Sequence, residues 1–195
     1  ANGQAFAVWT DGSIGNGEVY LRQWNGSAWG ALADSASGGG ISNTPHRSGR
    51  PAMALDAGLP TVAWAEGGTV EEIYLRRYNG SAWVELGNHS ASGSGISNTP
   101  GHSQYATIAY ATTGKPTVGW YDTYAGQREI YAVTLEGSQW VPAGSGAASG
   151  GGVSNTPGES REPDMAASDT PYLVWQEVTA TDNEIYVRRL SGTSW

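Results

Sequence analysis

The segment PTVAWAEGGTVEEIYLRRYNGSAW, from Pro60 to Trp83, contains the main features that recur along the chain and indicate its architecture. A tryptophan that ends a short apolar run recurs at spacings of 55, 56 and 55 residues, as Trp9, Trp64, Trp120 and Trp175. The run EVY or EIY begins at Glu18, Glu72, Glu129 and Glu184, and a closing G-x-x-W ends at Trp29, Trp83, Trp140 and Trp195. Markers that keep one period indicate an array of repeated structural units.

Each unit contains short apolar runs that are typical of β-strands. In the second unit these runs are 51–55, 61–66, 72–78 and 83–86, and Asn79-Gly80 between the last two is a strong hairpin signal. Gly or Pro interrupts every longer window, so no helix is predicted. The sequence therefore predicts an all-β propeller of four-stranded antiparallel blades, with about 55 residues per repeat. Its four units are 1–34, 35–88, 89–145 and 146–195.

A third marker, GISNTP or GVSNTP, occurs three times and ends at Pro45, Pro100 and Pro157. It falls in the longest connection of each unit, where a four-stranded blade needs a link from its outer edge to the inner strand of the next blade. Ser and Asn before a proline are typical of turns.

The charge and composition exclude several classes of protein. Ten basic and eighteen acidic residues give a net charge of −8, which argues against nucleic acid or an anionic membrane as a partner. Cysteine is absent, which excludes disulfides and thiolate metal sites. No apolar run reaches the roughly 18 residues of a membrane helix.

The ends of the chain favour association between copies. The sequence opens inside the second strand of a unit and stops at Trp195, where a fourth strand should begin. Unpaired edges and bare blade faces invite a partner, so we expect a homo-oligomer, most simply a dimer that closes a ring. Counting hairpins suggests eight blades in that ring, whereas counting length suggests about seven. A fragment of a longer array is the alternative explanation.

Acidic residues recur in pairs across one hairpin of each unit. The first member is Asp11, Glu66, Asp122 or Glu177, and the second opens the next strand. Two carboxylates could cleave a glycoside, but a catalytic site normally occurs once and this pair occurs four times. The loops lack the ligand spacing of a calcium site, and the three histidines do not converge as zinc ligands. The sequence therefore predicts no enzyme, no metal and no cofactor.

The third strand of each unit reads E-[IV]-Y-x-R, which places Glu72, Tyr74 and Arg76 on one face by the two-residue period. Arg22, Arg76 and Arg188 are equivalent, and Val133 takes their place in the third unit. These arginines could bind a ligand, or they could hold neighbouring blades together through carboxylates.

The combination of PTVAW, EIYLRR and NGSAW resembles the blade repeats of bacterial propellers grouped with sialidase-like and TolB-like families, and more loosely the fucose-binding propeller lectins. The strict sialidase motif S-x-D-x-G-x-x-W is absent, which argues against sialidase activity. The lectin resemblance implies a sugar bound between blades against an arginine, a glutamate and an aromatic ring.

The resulting hypothesis is a non-enzymatic, multivalent, lectin-like propeller with a glycan as its ligand, in an extracellular or cell-surface location. Its candidate binding residues are Trp64, Glu72, Arg76, Trp9, Glu18, Arg22, Trp175, Glu184 and Arg188. The alternative is a structural or self-assembling repeat scaffold without a ligand.

Overall fold

The computed structural model describes residues 4–195, which form fourteen strands in four antiparallel sheets. We call the sheets blades 1 to 4 in chain order. Blade 1 contains β1 (Ala5–Asp11), β2 (Glu18–Trp24) and β3 (Trp29–Gly30). Blade 2 contains β4 (Arg47–Asp56), β5 (Leu59–Gly67), β6 (Glu71–Tyr78) and β7 (Trp83–Val84).

Blade 3 contains β8 (Ser103–Tyr110), β9 (Pro116–Asp122), β10 (Glu129–Glu136) and β11 (Gln139–Pro142). Blade 4 contains β12 (Glu159–Ala167), β13 (Pro171–Val178) and β14 (Asn183–Arg189). No helix occurs within residues 4–195, and so none there could span a membrane. The prediction of an all-β chain in four antiparallel units is confirmed, although blades 1 and 4 have three strands rather than four.

The repeat markers occupy equivalent positions in the four sheets. Each marker tryptophan lies opposite a tyrosine of the next strand, in the pairs Trp9–Tyr20, Trp64–Tyr74, Trp120–Tyr131 and Trp175–Tyr186. The antiparallel register that brings each pair together follows from the short hairpin between the two strands. The first strands of blades 2, 3 and 4 lie side by side, and we call the edge formed by β4, β8 and β12 the inner edge.

The outermost strand is shorter than the sequence predicted. β7 comprises Trp83 and Val84 only, because the following linker takes over the edge of β6. The amide of Leu75 donates to the carbonyl of Ser90 at 2.6 Å, and the amide of Ile96 donates to the carbonyl of Ile73 at 2.8 Å. The long connection is therefore part of the blade's outer edge as well as the link to the next blade.

The core consists of three apolar clusters, one between each pair of successive blades. Period-two alternation gives every blade two apolar faces. One face carries the marker tryptophan and packs on the preceding blade, so that Trp64 contacts Val19 and Leu21 of blade 1. The other face carries aliphatic residues such as Ile73 and Leu75, which pack under Trp120 of blade 3. Blades thus stack by placing a tryptophan face on an aliphatic face.

Candidate functional site

In blades 2, 3 and 4 the first carboxylate of the repeated pair is part of a buried hydrogen-bond cluster, whereas Asp11 of blade 1 accepts a bond from the backbone amide of Ser13. Asp122 accepts hydrogen bonds from the indole Nε1 of Trp120 at 3.1 Å and from the hydroxyls of Ser103 and Thr99, both at 2.8 Å. Glu66 and Glu177 accept the same indole and serine bonds, at 2.8 to 3.1 Å. All three carboxylates are buried, so their bonds satisfy donors inside the core.

In blades 1, 2 and 3 the second carboxylate of the pair binds the linker, whereas Glu184 of blade 4 is exposed. The hydroxyls of Ser42, Ser97 and Ser154 donate to Glu18, Glu72 and Glu129, respectively. Thr99, two residues after Ser97, reaches Asp122 of the next blade. The serine and threonine of the SNT sequence within the third marker therefore bridge adjacent blades through their carboxylates, and we call these hydrogen-bonded clusters the staples. This role goes beyond the turn chemistry expected from the sequence.

Burial raises the pKa of Glu72, with the nearby charge of Asp122 acting in the same direction. Hydrogen bonds from Ser97, Thr99 and Ser103 oppose that rise. A carboxylate enclosed in this way holds the blades together and has little access to a ligand.

The nine predicted binding residues do not converge on one cleft. Trp64, Trp175, Glu18 and Glu72 are buried in the interfaces between blades or in the staples just described. Arg76 and Arg188 each donate to a linker carbonyl, that of Ile41 at 2.8 Å and that of Val153 at 2.7 Å. The remaining three, Trp9, Arg22 and Glu184, lie on the first and last blades.

The two arginines with linker contacts therefore hold blades together through backbone carbonyls rather than through carboxylates. Ligand binding at any of the nine residues stays a prediction.

A different set of residues stands out on the inner edge. The strand register slips between Gly49 and Ala52, between Gln104 and Thr107, and between Arg161 and Asp164, which marks a β-bulge at the same place in three blades. Each bulge contains a non-glycine residue with positive φ, in the order Arg50 (53°), Tyr105 (55°) and Glu162 (49°). We call these three residues the bulge row. Left-handed backbone at such residues is costly and is concentrated at functional sites.

The bulge row is continuous from blade to blade. The guanidinium of Arg50 lies 4.6 Å from the ring centroid of Tyr105, and the Tyr105 ring stacks on that of Tyr121 at 5.4 Å. Glu162 borders a concavity of about 190 Å³ together with Tyr105, Tyr121, Arg128 and Arg161. An arginine, a tyrosine and a glutamate thus line one surface, each from a different blade.

Ion pairs fix the charges around this concavity. Glu159 receives Arg128 at 2.5 Å and Arg161 at 2.7 Å, and its pKa is lowered, first by the hydrogen bond from Arg161. At the other end of the row, Arg50 lies 4.0 Å from Glu71 and keeps 41% of its side chain exposed. Arg50 and Glu162 are both exposed, so a cation and a carboxylate face solvent along the row.

This arrangement provides the groups that polysaccharide chemistry uses. A solvent-accessible carboxylate such as Glu162 can transfer a proton to or from a sugar oxygen. The guanidinium of Arg50 and the phenol of Tyr105 can bind hydroxyl or acidic groups of a sugar. Within residues 4–195, no group of three or more acidic or histidine side chains could hold a metal ion.

A larger cavity lies elsewhere, between blades 3 and 4, at the opposite end of the strands. It measures about 470 Å³ and is bordered by Lys115, Thr117 and Glu136. Between blades 2 and 3, the hydroxyl of Tyr110 bonds to Thr61 at 2.7 Å, whereas Ala167 stands at the position equivalent to Tyr110 in blade 4. The cavity is remote from the bulges.

Sequence reasoning missed the bulge row. Arg50, Tyr105 and Glu162 each stand two residues after the repeated serines Ser48, Ser103 and Ser160, so an alignment of the units shows the position directly. At this position the units align, but the side chain is chemically different in each unit, and that difference could have identified the row. The bulge itself gave no signal, because it depends on strand pairing.

Neither a protein-family model nor a curated protein matches the sequence. Solved structures do match. The endo-arabinase of Bacteroides thetaiotaomicron is 12% identical, with a TM-score of 0.60 over 99% of this chain and 74% of that one. A polysaccharide lyase of family PL25, an ulvan lyase, is also 12% identical, with a TM-score of 0.65 over 96% of this chain and 50% of that one.

The sialidase of Trypanosoma rangeli matches with a TM-score of 0.55 at 12% identity, over 99% of this chain and 30% of that one. A putative TolB from Agrobacterium tumefaciens matches as well. These similarities support the propeller-type fold and the resemblance to sialidase-like and TolB-like blades. The chain spans about half the length of the lyase and less than a third of the sialidase.

The prediction of a non-enzymatic, lectin-like propeller is wrong in the light of these matches. Besides the endo-arabinase and the lyase, the matching structures include a thermostable family-43 glycoside hydrolase, a family-43 endo-arabinanase from Bacillus licheniformis and a glycosyl hydrolase from Bacteroides ovatus. The lectin hypothesis was based on repeated residues, several of which also take part in the packing of blades.

Proposed function

We propose that the chain is the propeller of a carbohydrate-active enzyme that cleaves glycosidic bonds of a polysaccharide over the bulge row. The observation that carries this proposal is the set of three left-handed, non-glycine residues at equivalent bulges, each with a different reactive side chain. Left-handed backbone at non-glycine residues is costly and is retained mainly where it serves a function. The combination of these three different side chains occurs once, as expected of a catalytic site.

In this proposal Glu162 is the proton-transfer residue. It lies on the solvent side of the inner edge, beside the concavity bordered by Tyr105 and Arg161. Glu159 remains ionised beside its two arginines and orients them. Separate environments for two neighbouring carboxylates are a common way to divide their roles in sugar chemistry.

Arg50 and Tyr105 position the substrate. The guanidinium over the phenol ring forms a rigid, amphipathic platform on which a sugar ring can rest, with exposed N–H groups for its oxygens. The solved structures with this fold include enzymes that act on polysaccharides, which supports a polymeric substrate.

Elimination is a second candidate reaction, because the pairing of Arg50 with Tyr105 suits it. An arginine that neutralises the carboxylate of a uronic acid acidifies the neighbouring C5–H. The ionised phenol of a tyrosine can take that proton while a C4–C5 double bond forms and the C4–O glycosidic bond breaks, and it then gives the proton to the leaving oxygen. Hydrolysis releases a new reducing end without a double bond, whereas elimination releases an unsaturated sugar that absorbs ultraviolet light.

The test is to incubate the chain with a panel of neutral and uronate-containing polysaccharides while following reducing ends and ultraviolet absorbance. We expect Glu162→Gln to lower kcat about 100- to 10,000-fold if hydrolysis is the reaction, since a proton-transfer group is lost. Tyr105→Phe should show that loss if the reaction is elimination. Glu85→Gln, which changes an exposed glutamate just after β7, is the matched control and should keep full activity.

Absence of both products from every polymer, or equal activity of Glu162→Gln, Tyr105→Phe and the control, would reject the proposal. Circular dichroism and thermal unfolding of each variant would separate a loss of chemistry from a loss of fold.

A further inference from the structure

The last blade has an exposed apolar face. Ile185 and Val187 of β14 are 72% and 64% exposed, and Tyr172 of the adjacent strand is also exposed. Ile73 and Leu75, which stand at the equivalent positions of blade 2, are completely buried under blade 3. A face that is core in blades 1 to 3 is therefore open in blade 4, and an exposed apolar patch of this kind marks an interaction surface.

The first blade has the complementary open face. Phe6 and Val8 of β1 pack towards blade 2, so alternation places Ala5, Ala7 and Trp9 on the opposite side. Both alanines are exposed, and Trp9 is only half-buried, whereas the equivalent Trp64, Trp120 and Trp175 are buried.

Three internal interfaces between blades show how an aliphatic face and a tryptophan face pack together. Trp64 packs on Val19 and Leu21 of blade 1. Trp120 packs on Ile73 and Leu75 of blade 2, and Trp175 packs on Ile130 and Ala132 of blade 3. Ile185 and Val187 are the next pair in this series, and the tryptophan face that matches them in the described chain is the one on blade 1.

We propose that blade 4 of one copy docks on blade 1 of a second copy, with Trp9 of the second copy packed on Ile185 and Val187 of the first. The contact continues the stacking order of the interior. It joins two different surfaces, so it is heterologous and must either close into a ring or extend into a filament.

The docked contact lacks two components of the internal interfaces. In the described part of the chain, blade 1 has no strand equivalent to β8 or β12, and a linker is missing as well. Ile41, Ile96 and Val153 of the linkers fill part of the space between successive blades, and within residues 4–195 no linker residue follows blade 4 in that way. We therefore expect an association that depends on protein concentration in the micromolar range rather than a permanent one.

Sedimentation equilibrium of the full chain tests the proposal. Wild-type protein should have an average mass above that of one copy, and the mass should rise with concentration. Val187→Lys, on the blade 4 face, and Ala7→Lys, on the blade 1 face, should each give a single copy, because a lysine would be buried without a partner. Ile14→Lys changes an exposed isoleucine outside both faces and should associate like the wild type.

Mixing the two face variants provides the decisive measurement. Val187→Lys retains an intact blade 1 face and Ala7→Lys retains an intact blade 4 face, so a mixture should form a complex of one copy of each and nothing larger. A wild type of single-copy mass throughout the micromolar range would overturn the proposal. So would association that survives Val187→Lys, or a mixture that fails to form the complex.

Discussion

Acidic residues occur in two contrasting regions of this molecule. In the staples between blades, Glu66, Asp122 and Glu177 repeat the same bonds to a tryptophan and a serine. On the inner edge, Glu162 has no acidic equivalent, since Arg50 and Tyr105 occupy its position in the other blades. Residues that repeat in every blade therefore build the array, whereas residues that depart from the repeat are the candidates for chemistry.

The staples should dominate stability. Asp122→Ala removes the acceptor of Trp120, Ser103 and Thr99 inside the core. We expect unfolding free energy to fall by about 2 to 4 kcal/mol, because each buried donor left without a partner costs about 1 to 3 kcal/mol and some of them will find water. Urea unfolding followed by tryptophan fluorescence measures this loss.

Asp182→Ala is the control for that measurement, since Asp182 is exposed in the loop before β14. Its effect should stay within about 0.5 kcal/mol, as for most surface substitutions. Equal effects of the two substitutions would contradict the structural role of the staple and weaken the comparison between the two regions.

The bulge row should behave in the opposite way. Glu162→Gly relieves left-handed strain at φ 49°, so we expect a gain of about 0.5 to 1 kcal/mol in stability after the greater freedom of glycine in the unfolded chain is counted. The same change should abolish the proposed activity. Thermal unfolding and the polysaccharide assay, performed on one preparation, measure both effects.

Glu184→Gly is the matched control, because Glu184 is an exposed glutamate in strand β14 without positive φ. Glycine there should lower stability by about 0.5 to 1 kcal/mol. If Glu162→Gly is destabilising to the same extent as this control, the bulge is not strained, and the argument for a functional site at this position loses its main support.

Much of the fold follows from the sequence because the repeat is read directly from the spacing of Trp64, Trp120 and their equivalents. The hairpin turns and the two-residue alternation then define the strands. The short β7 was not predictable, since the linker competes for the edge of β6 only once the blade has folded. Local patterns carry no information about such long-range competition.

The candidate site was harder to predict than the fold. The argument that a catalytic group occurs once was applied to the paired carboxylates, but not to the repeated Arg76 and Trp64, which were assigned to ligand binding. Those two residues pack against the linker and the core. Left-handed backbone at Tyr105 and Glu162 depends on a slip in strand register, which no sequence pattern of β8 or β12 reveals.

The smallest expected effect is a difference in pH dependence between the two regions. Burial raises the pKa of Glu72 in the folded chain above its unfolded value. The folded state then binds its proton more tightly, so the contribution of Glu72 to stability is largest below the unfolded pKa and is lost as the pH rises through the raised folded pKa. Glu159 behaves in the opposite way, because Arg161 and Arg128 lower its pKa. Its contribution is present above the unfolded pKa and is lost as the pH falls through the lowered folded pKa.

Urea unfolding of Glu72→Gln and Glu159→Gln between about pH 3 and pH 7 should therefore give differences from the wild type with opposite slopes. Slopes of the same sign would show that the two carboxylates share one kind of environment, and the distinction between the buried staples and the ion pairs beside the bulge row would fail at these residues.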